Sequence, residues 1–349
     1  MLNTNAFRKI IAASLFLFTT EYSVGAELPN HGAYVQSVKG DKSGPNQDVS
    51  DVSILEDRII AYVADGHGLK GEVHANISGN LFLEFASVAK QDDSSPELFE
   101  GIFKAIDLTL YKALQSGEPL KRGGTTLTSL IAFIEKDQSI SKVQIGYVGD
   151  SMAVISTKDP KEVEPELFFT KDHDFAKNIG EVQRYDAQGF SPVALQKNLE
   201  MVRYFEINFL RQGKTMEQFL ELYPFYMRDI AQSQITGKLH CSKSGPNMSR
   251  SLGDFLAKDD VKALISTPDV YDIELKGETA IILASDGLWE IVSAEEAVKL
   301  CWEKLSLHKQ PDQAAEAAAK ALVSLVQSRA RKHSYATDDT TVQVLFLNI

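Results

Sequence analysis

The sequence predicts an α+β fold in which β-sheets pack together under a cover of helices, with a cleft of acidic residues at one end of the strands. Three observations predict it. Short apolar runs bounded by glycine, aspartate or charged residues recur at 59–64, 126–134, 143–148, 152–156, 280–284 and 341–347, as strands between turns do. Helix-forming segments divide these runs into groups instead of alternating with them one by one, the pattern of sheets with helices laid over them. Acidic motifs mark the ends of the runs. Asn46-Gln47-Asp48 lies shortly before one, Asp65-Gly66-His67-Gly68 and Asp286-Gly287 immediately follow one, and Asp338-Asp339 immediately precedes the last.

The N-terminus is of a different kind. Arg8 and Lys9 precede the apolar stretch 10–18 and the small residues Ser23-Val24-Gly25-Ala26. Residues 1–26 therefore read as a secretory signal cleaved after Ala26, which makes the protein secreted or periplasmic. The alternative is a leader that stays attached, with a cytoplasmic location. No other stretch has the length and apolarity of a membrane span. Residues 27–349 contain no internal repeat or low-complexity linker and are expected to form one domain.

Within that domain, Ser95 and Pro96 suit a helix cap and first turn, and Phe99, Ile102, Phe103, Ile106 and Leu110 follow at helical spacing. Ser293 and Glu296 form a capping box before 297–302. Pro311 opens the alanine-rich segment 314–326, whose residues favour helix. Between two motif segments, 190–240 carries Phe205, Phe209, Phe219, Leu222 and Tyr226. It is too long and apolar for a bare loop and reads as a helical insertion, its aromatics serving packing first and substrate recognition second.

Composition limits the function classes. With 44% apolar residues the chain has ample material for a core, and its net charge of −12 repels nucleic acid and anionic membrane. The two cysteines, Cys241 and Cys301, allow either one disulfide in an exported protein or two buried thiols. Neither has arginine six positions later, those places being Asn247 and Leu307, so the loop of a cysteine-nucleophile phosphatase is missing.

A single Asp-Gly is ordinarily a turn. Four carboxylates at strand ends, far apart in sequence, are instead what a chain needs to hold two divalent cations in one cleft, as a metal-dependent hydrolase does. Mg2+ and Mn2+ prefer carboxylates and water to histidine. No twelve-residue calcium loop is present.

The order and wording of the motifs resemble the PPM family, the type 2C metal-dependent serine/threonine protein phosphatases. The resemblance runs from Gly40 to the C-terminus. Besides the four acidic motifs it takes in Gly123-Gly124-Thr125-Thr126, Gly149-Asp150-Ser151, Asp172-His173 with Glu181 and Arg184, and Met248-Ser249-Arg250-Ser251-Leu252-Gly253-Asp254. It implies a four-layer αββα sandwich of two antiparallel β-sheets flanked by helices, with the metal site in the cleft at one end of the sheets. It implies a monomer acting on phosphoprotein substrates, with a metal-bridged hydroxide attacking phosphorus.

In the roles the resemblance implies, Asp65 bridges two Mg2+ or Mn2+ ions, Gly66 offers its backbone carbonyl, Asp286 and Asp338 complete one ion's shell, and Asp48 serves the second. Asp150 and Glu290 resemble a weaker third position, although Asp150 equally suits a turn cap. His67, between two glycines beside Asp65, is the expected general acid, whereas His74, His173 and His333 are read as structural. Lys42 is the expected phosphate contact, because Ser43 stands where relatives usually carry arginine or lysine. Gln47 replaces a frequent glutamate and Met152 a frequent arginine. Arg250 is read as a core-facing buttress paired to Asp254. These departures leave open an exported pseudophosphatase, a binding or regulatory module on the same fold.

Overall fold

The computed structural model describes residues 30–91, 93–115, 123–158, 165–175, 177–190, 192–194, 239–241, 245–333 and 336–349. The leader 1–26 and nearly all of the 190–240 insertion lie outside them. Only the two ends of the insertion are described, and they pair as β9 (Val193–Ala194) and β10 (Leu239–His240).

Two antiparallel sheets form the centre. One has the order β1 (Gly32–Val38), β14 (Thr340–Leu347), β13 (Thr279–Ala284), β7 (Met152–Thr157), β8 (Glu166–Phe169). The other runs β11 (Leu252–Gly253), β4 (Gly123–Thr125), β3 (Arg58–Gly68), β5 (Leu127–Phe133), β6 (Lys142–Val148), β12 (Asp269–Glu274), with β2 (Asp48–Ile54) on the remaining edge of β3. β4 and β5 face β3 in one continuous register, broken only at Thr126, whose N–H still donates to the Asp65 carbonyl.

Strand alternation sorts the side chains into layers. On β3, Ile59, Ala61 and Val63 point into the space between the sheets, with Ile281 and Leu283 of β13 and Leu345 and Leu347 of β14. The intervening Ile60, Tyr62 and Ala64 point outward under α1 (Gly71–Ser87) and α2 (Ser95–Gln115), against Phe82, Phe99 and Phe103. On the far side, Ile282 of β13 and Val342, Val344 and Phe346 of β14 pack under α6 (Ala294–Leu307) and α7 (Pro311–His333). Three shorter helices complete the described set: α3 (Ile179–Ala187), α4 (Phe255–Asp260) and α5 (Asp286–Trp289). Both sheets are covered on both faces, so β3, β13 and β14 are apolar without polar alternation.

The expected four-layer αββα sandwich is therefore the fold. Ser293 caps α6, its hydroxyl accepting from the Glu296 N–H at 3.3 Å, but the expected capping box is only half made, because the Glu296 carboxylate pairs with Arg329 instead of reaching back to Ser293. The sequence reading did not include α1, β1, β2, β8 or β12. Cys241 and Cys301 are buried free thiols. No helix among the described residues is long and apolar enough to cross a membrane.

Candidate active site

β2 and β3 pair in a register that sets Asp48 directly opposite Asp65. Asp65 shares the parity of Ile59, Ala61 and Val63, so both carboxylates belong to the face turned towards the other sheet. From that sheet, Asp286 opens α5 directly after β13, and Asp338 stands just before β14. Both sheets thus deliver acidic residues to the same end of the sandwich.

The charges act on one another. Burial first, then Asp48, Asp286, Asp150 and Asp338, hold the Asp65 carboxyl well above the usual carboxylate range. Asp48 is pushed up to about 7, by burial first and by Asp286 and Asp339, against the opposing hydrogen bonds from Ser285 and Thr341. Ser285 Oγ donates to Asp48 Oδ2 at 2.7 Å, while Oδ1 is buried with no hydrogen-bond partner. Mutually repelling carboxylates with one orphaned oxygen suit hard divalent cations, which take oxygen ligands. The side chains share the cleft without closing on a single point: among the described residues no three Asp, Glu, His or Cys side chains form a ready cage.

The backbone behind Asp65 explains Gly66. A Cβ there would stand 2.2 Å from the Gly71 carbonyl oxygen and 2.8 Å from that of Gln47. The first turn of α1 and the loop before β2 close in behind the strand end, and only glycine leaves room. Asp339, which the sequence reading paired with Asp338 without a task of its own, straps the same loop. Its Oδ1 accepts from Gly40 N–H at 2.8 Å and its Oδ2 from Gln47 N–H at 2.9 Å.

Lys42 reaches the cluster from that loop, its ammonium donating to Asp338 Oδ2. Burial opposes this charge, but Asp338, Asp286 and Asp65 outweigh burial and raise the Lys42 pKa. The Gln47 amide turns away, donating to the Gly68 carbonyl at 3.1 Å and to Glu72 at 3.3 Å. Asp150 is buried and receives Asn247 Nδ2 at 3.2 Å, an amide that also reaches Asp174 at 3.4 Å. Glu290 is exposed beyond the end of α5.

His67 lies two residues along β3 from Asp65 and a quarter of its side chain is exposed. Its Nε2 donates to Asp254 Oδ2 at 2.7 Å. Burial would lower its pKa, but Asp254, with Asp150 and Asp286 behind it, reverses the balance and raises it. Asp254, which the sequence pairs with Arg250, is instead the neighbour of His67. The expected Arg250–Asp254 pair does not form. Arg250 instead bonds Glu181 through Nη2 at 2.6 Å and Nε at 3.2 Å, and Asp269 through Nη1 at 2.7 Å. Arg250 lies in an isolated bridge with Ile265, and the left-handed backbone at Gly253 and Asp254 turns the chain before the Asp254 carboxylate is reached.

A profile of the protein phosphatase 2C family matches residues 42–205 and 233–334. The Arabidopsis thaliana protein called Probable protein phosphatase 2C 65 is 26% identical over 343 residues, covering 89% of this chain and 75% of its own length. Probable protein phosphatase 2C 75 of Oryza sativa subsp. japonica is 27% identical over 307 residues, covering 86% of this chain and 56% of its own. Among solved structures, a serine-threonine phosphatase 2C from Toxoplasma gondii superposes with a TM-score of 0.62 at 16% identity, over 92% of this chain and 96% of that one. The catalytic domain of the serine threonine protein phosphatase PstP in complex with two manganese ions gives 0.53 at 16% identity, over 91% and 99%. At such identities the structures speak for the fold alone.

Proposed function

This chain belongs to the protein phosphatase 2C family of serine/threonine protein phosphatases, and we propose from that premise how its own residues hydrolyse phosphoserine and phosphothreonine. The observation that carries the reading is the placement of Asp48, Asp65, Asp286 and Asp338, remote in sequence, at one end of the sandwich with His67 beside them. Asp48, Asp65, Asp286, Asp338 and the Gly66 carbonyl would hold two Mg2+ or Mn2+ ions, and Asp150 would face a weaker third. When bound, such cations supply an activated water and the positive charge that phosphoryl transfer needs.

The other steps fall to the chain itself. His67 donates a proton to the departing serine or threonine oxygen. Lys42, whose ammonium now donates to Asp338, would meet the phosphate as a single charge without the fork an arginine would bring. Asp339 keeps the Lys42 loop in place through Gly40 and Gln47.

One observation favours a second reading, a binding module without turnover: Lys42 is engaged by Asp338. A single assay separates the two. Purified protein is given a phosphothreonine peptide with Mn2+, with chelator, and with Mn2+ restored, beside Asp65→Asn. Phosphate release that disappears with chelator, returns with Mn2+, and falls at least ~100-fold in the variant is expected, the scale of losing an essential charged group. A wild-type protein that releases no phosphate points to the binding module. Release indifferent to chelator and variant refutes the metal site.

A further inference from the structure

We propose that Asp254 is the positioning residue for His67: it holds Nε2 of the ring and so reserves Nδ1 for the oxygen that leaves phosphorus. The inference rests on reading His67 as the proton donor, and it names the part of the chain that sets the ring's orientation.

The turn that carries Asp254 is built for this contact. After β11, Gly253 (φ +81°) and Asp254 (φ +51°) both take left-handed backbone conformations, which residues with a Cβ rarely adopt. The surroundings hold Asp254 there. Its N–H donates to the Gly123 carbonyl at 2.9 Å, and the Gly253 N–H donates to Asp107 at 2.9 Å. Lys258 then ties Asp107, at 2.9 Å, to the Ser251 carbonyl, at 3.0 Å. Asp254 spends no side-chain bond on capping α4, although it stands at that helix's N-terminus. Its Oδ2 instead accepts from His67 Nε2 at 2.7 Å and from Ser251 Oγ at 2.6 Å, with 8% of the side chain exposed.

Gly124 makes the meeting possible. It pairs with His67 across β3–β4 and with Gly253 across β4–β11, so it lies between the two partners. A Cβ on it would stand 2.2 Å from Asp254 Oδ2. The small-residue motif Gly123-Gly124 thereby acquires a chemical purpose.

The free end of the ring distinguishes this pair from a structural one. His31 and His173 are buried, and each has both ring nitrogens bonded. His31 donates from Nε2 to the Gln138 carbonyl and accepts the Asn348 N–H at Nδ1. His173 accepts the Gly149 N–H at Nδ1 and donates from Nε2 to Asp269. His67 Nδ1 is buried with no hydrogen-bond partner among the described residues. A polar atom left so in a folded interior calls for an explanation, and a ligand atom supplies one. As the P–O bond breaks, its electron pair passes to the departing oxygen, which takes the Nδ1 proton. The ring passes from imidazolium to neutral imidazole, its Nε2–H still donating to Asp254.

The test compares full-length wild type, Asp254→Asn, His67→Ala and the double variant on phenyl phosphate and 4-nitrophenyl phosphate with Mn2+. A proton donor matters most for the poor leaving group. Asp254→Asn is expected to lower kcat on phenyl phosphate about 10- to 100-fold with KM within about two-fold, and to cost far less on 4-nitrophenyl phosphate. The double variant is expected to match His67→Ala alone. Equal losses on both substrates, or losses that multiply in the double variant, overturn the inference. If Asp254→Asn fails to fold, Ser251→Ala loosens the carboxylate while leaving the ring untouched, and must show the same leaving-group bias in weaker form. Nitrogen NMR of the histidine rings reads the pair without substrate: His67 is expected to carry an Nε2 proton that Asp254→Asn releases, and unchanged spectra overturn the proposal. A wild type inactive on every phosphate ester defeats the phosphatase reading instead, and the ring spectra still decide the pairing.

Discussion

Replacing Arg250 with methionine removes the cation that joins three separate parts of the fold. Its guanidinium bonds Glu181 on α3, Asp269 at the start of β12 and the Thr267 carbonyl, and the segment it begins continues to Asp254. Glu181 is 6% exposed. Burial by itself would raise its pKa, yet Arg250 first, then Ser249 and Arg184, bring it from 4.5 down to about 2. That difference corresponds to about 3 kcal/mol of native-state stabilisation at neutral pH, in line with the roughly 3–5 kcal/mol lost when a buried pair is broken. Arg184 and Ser249 remain in the variant and keep part of that stabilisation, so the expected loss is about 1–3 kcal/mol in urea unfolding at pH 7. The sign of the pH dependence follows. A carboxylate with a depressed pKa contributes fully above its unfolded value of 4.5, and the contribution fades as the pH falls through about 2. The gap between wild type and Arg250→Met should therefore narrow across that window. A loss under about 1 kcal/mol, or a gap that stays constant from pH 7 to 2.5, would refute the assignment of Arg250 to Glu181.

Asp48 gives the opposite slope. Its pKa is raised from 3.8 to about 7, so the folded protein holds that proton longer than the unfolded chain does. In chelator, stability is full below about pH 4 and declines as the pH rises through 7; Mn2+ or Asp48→Asn should flatten the profile, and melting temperatures read in all three conditions decide it. Gly124→Ala forces a Cβ to 2.2 Å from Asp254 Oδ2 and 2.7 Å from the Leu252 carbonyl. Overpacking of this kind costs about 1–3 kcal/mol, and kcat should fall beyond what the thermal shift explains. A variant as stable and active as wild type would show that the three strands can move apart.

The layers were legible because covered strands leave a plain mark. In β3, β13 and β14, both faces are buried, and the sequence shows continuous apolar runs. β2 and β12 are half exposed and broken by Asp48, Asp51, Asp269 and Asp272, so they resemble loops. α1 hid for another reason. It lies on the sheet through small residues, Gly71, Ala75, Ser78 and Gly79, and a Cβ on Gly79 would strike the Tyr62 ring at 2.1 Å. Close approach leaves the buried face of its first half without large apolar residues, which begin only at Leu81 and Phe82, so too little of the helix carries the usual pattern.

Site residues were legible to the extent that their roles belong to strand ends, and illegible where a role depends on which strands are neighbours. Asp65, Asp286 and Asp338 each border an apolar run, so position alone singles them out, whereas Asp48 opens a half-exposed strand that carries no such mark. Met248 to Asp254 reads in sequence as one unit, yet it serves two places. Arg250 turns to Glu181 and Asp269, while Ser251 and Asp254 turn to His67. No local rule foretells that β11 will lie beside β4 and β4 beside β3, the order that brings Asp254 to a histidine 187 residues away. The one local clue was Gly253 before Asp254, a glycine–aspartate pair suited to left-handed backbone. It says that the chain turns there, and the surrounding strands decide what the carboxylate meets. Two bonds at nearby points of one segment, to different parts of the site, make that segment the mechanical link between the buried Glu181 network and His67. Loss of Arg250 should therefore be felt at His67, although the two side chains share no contact.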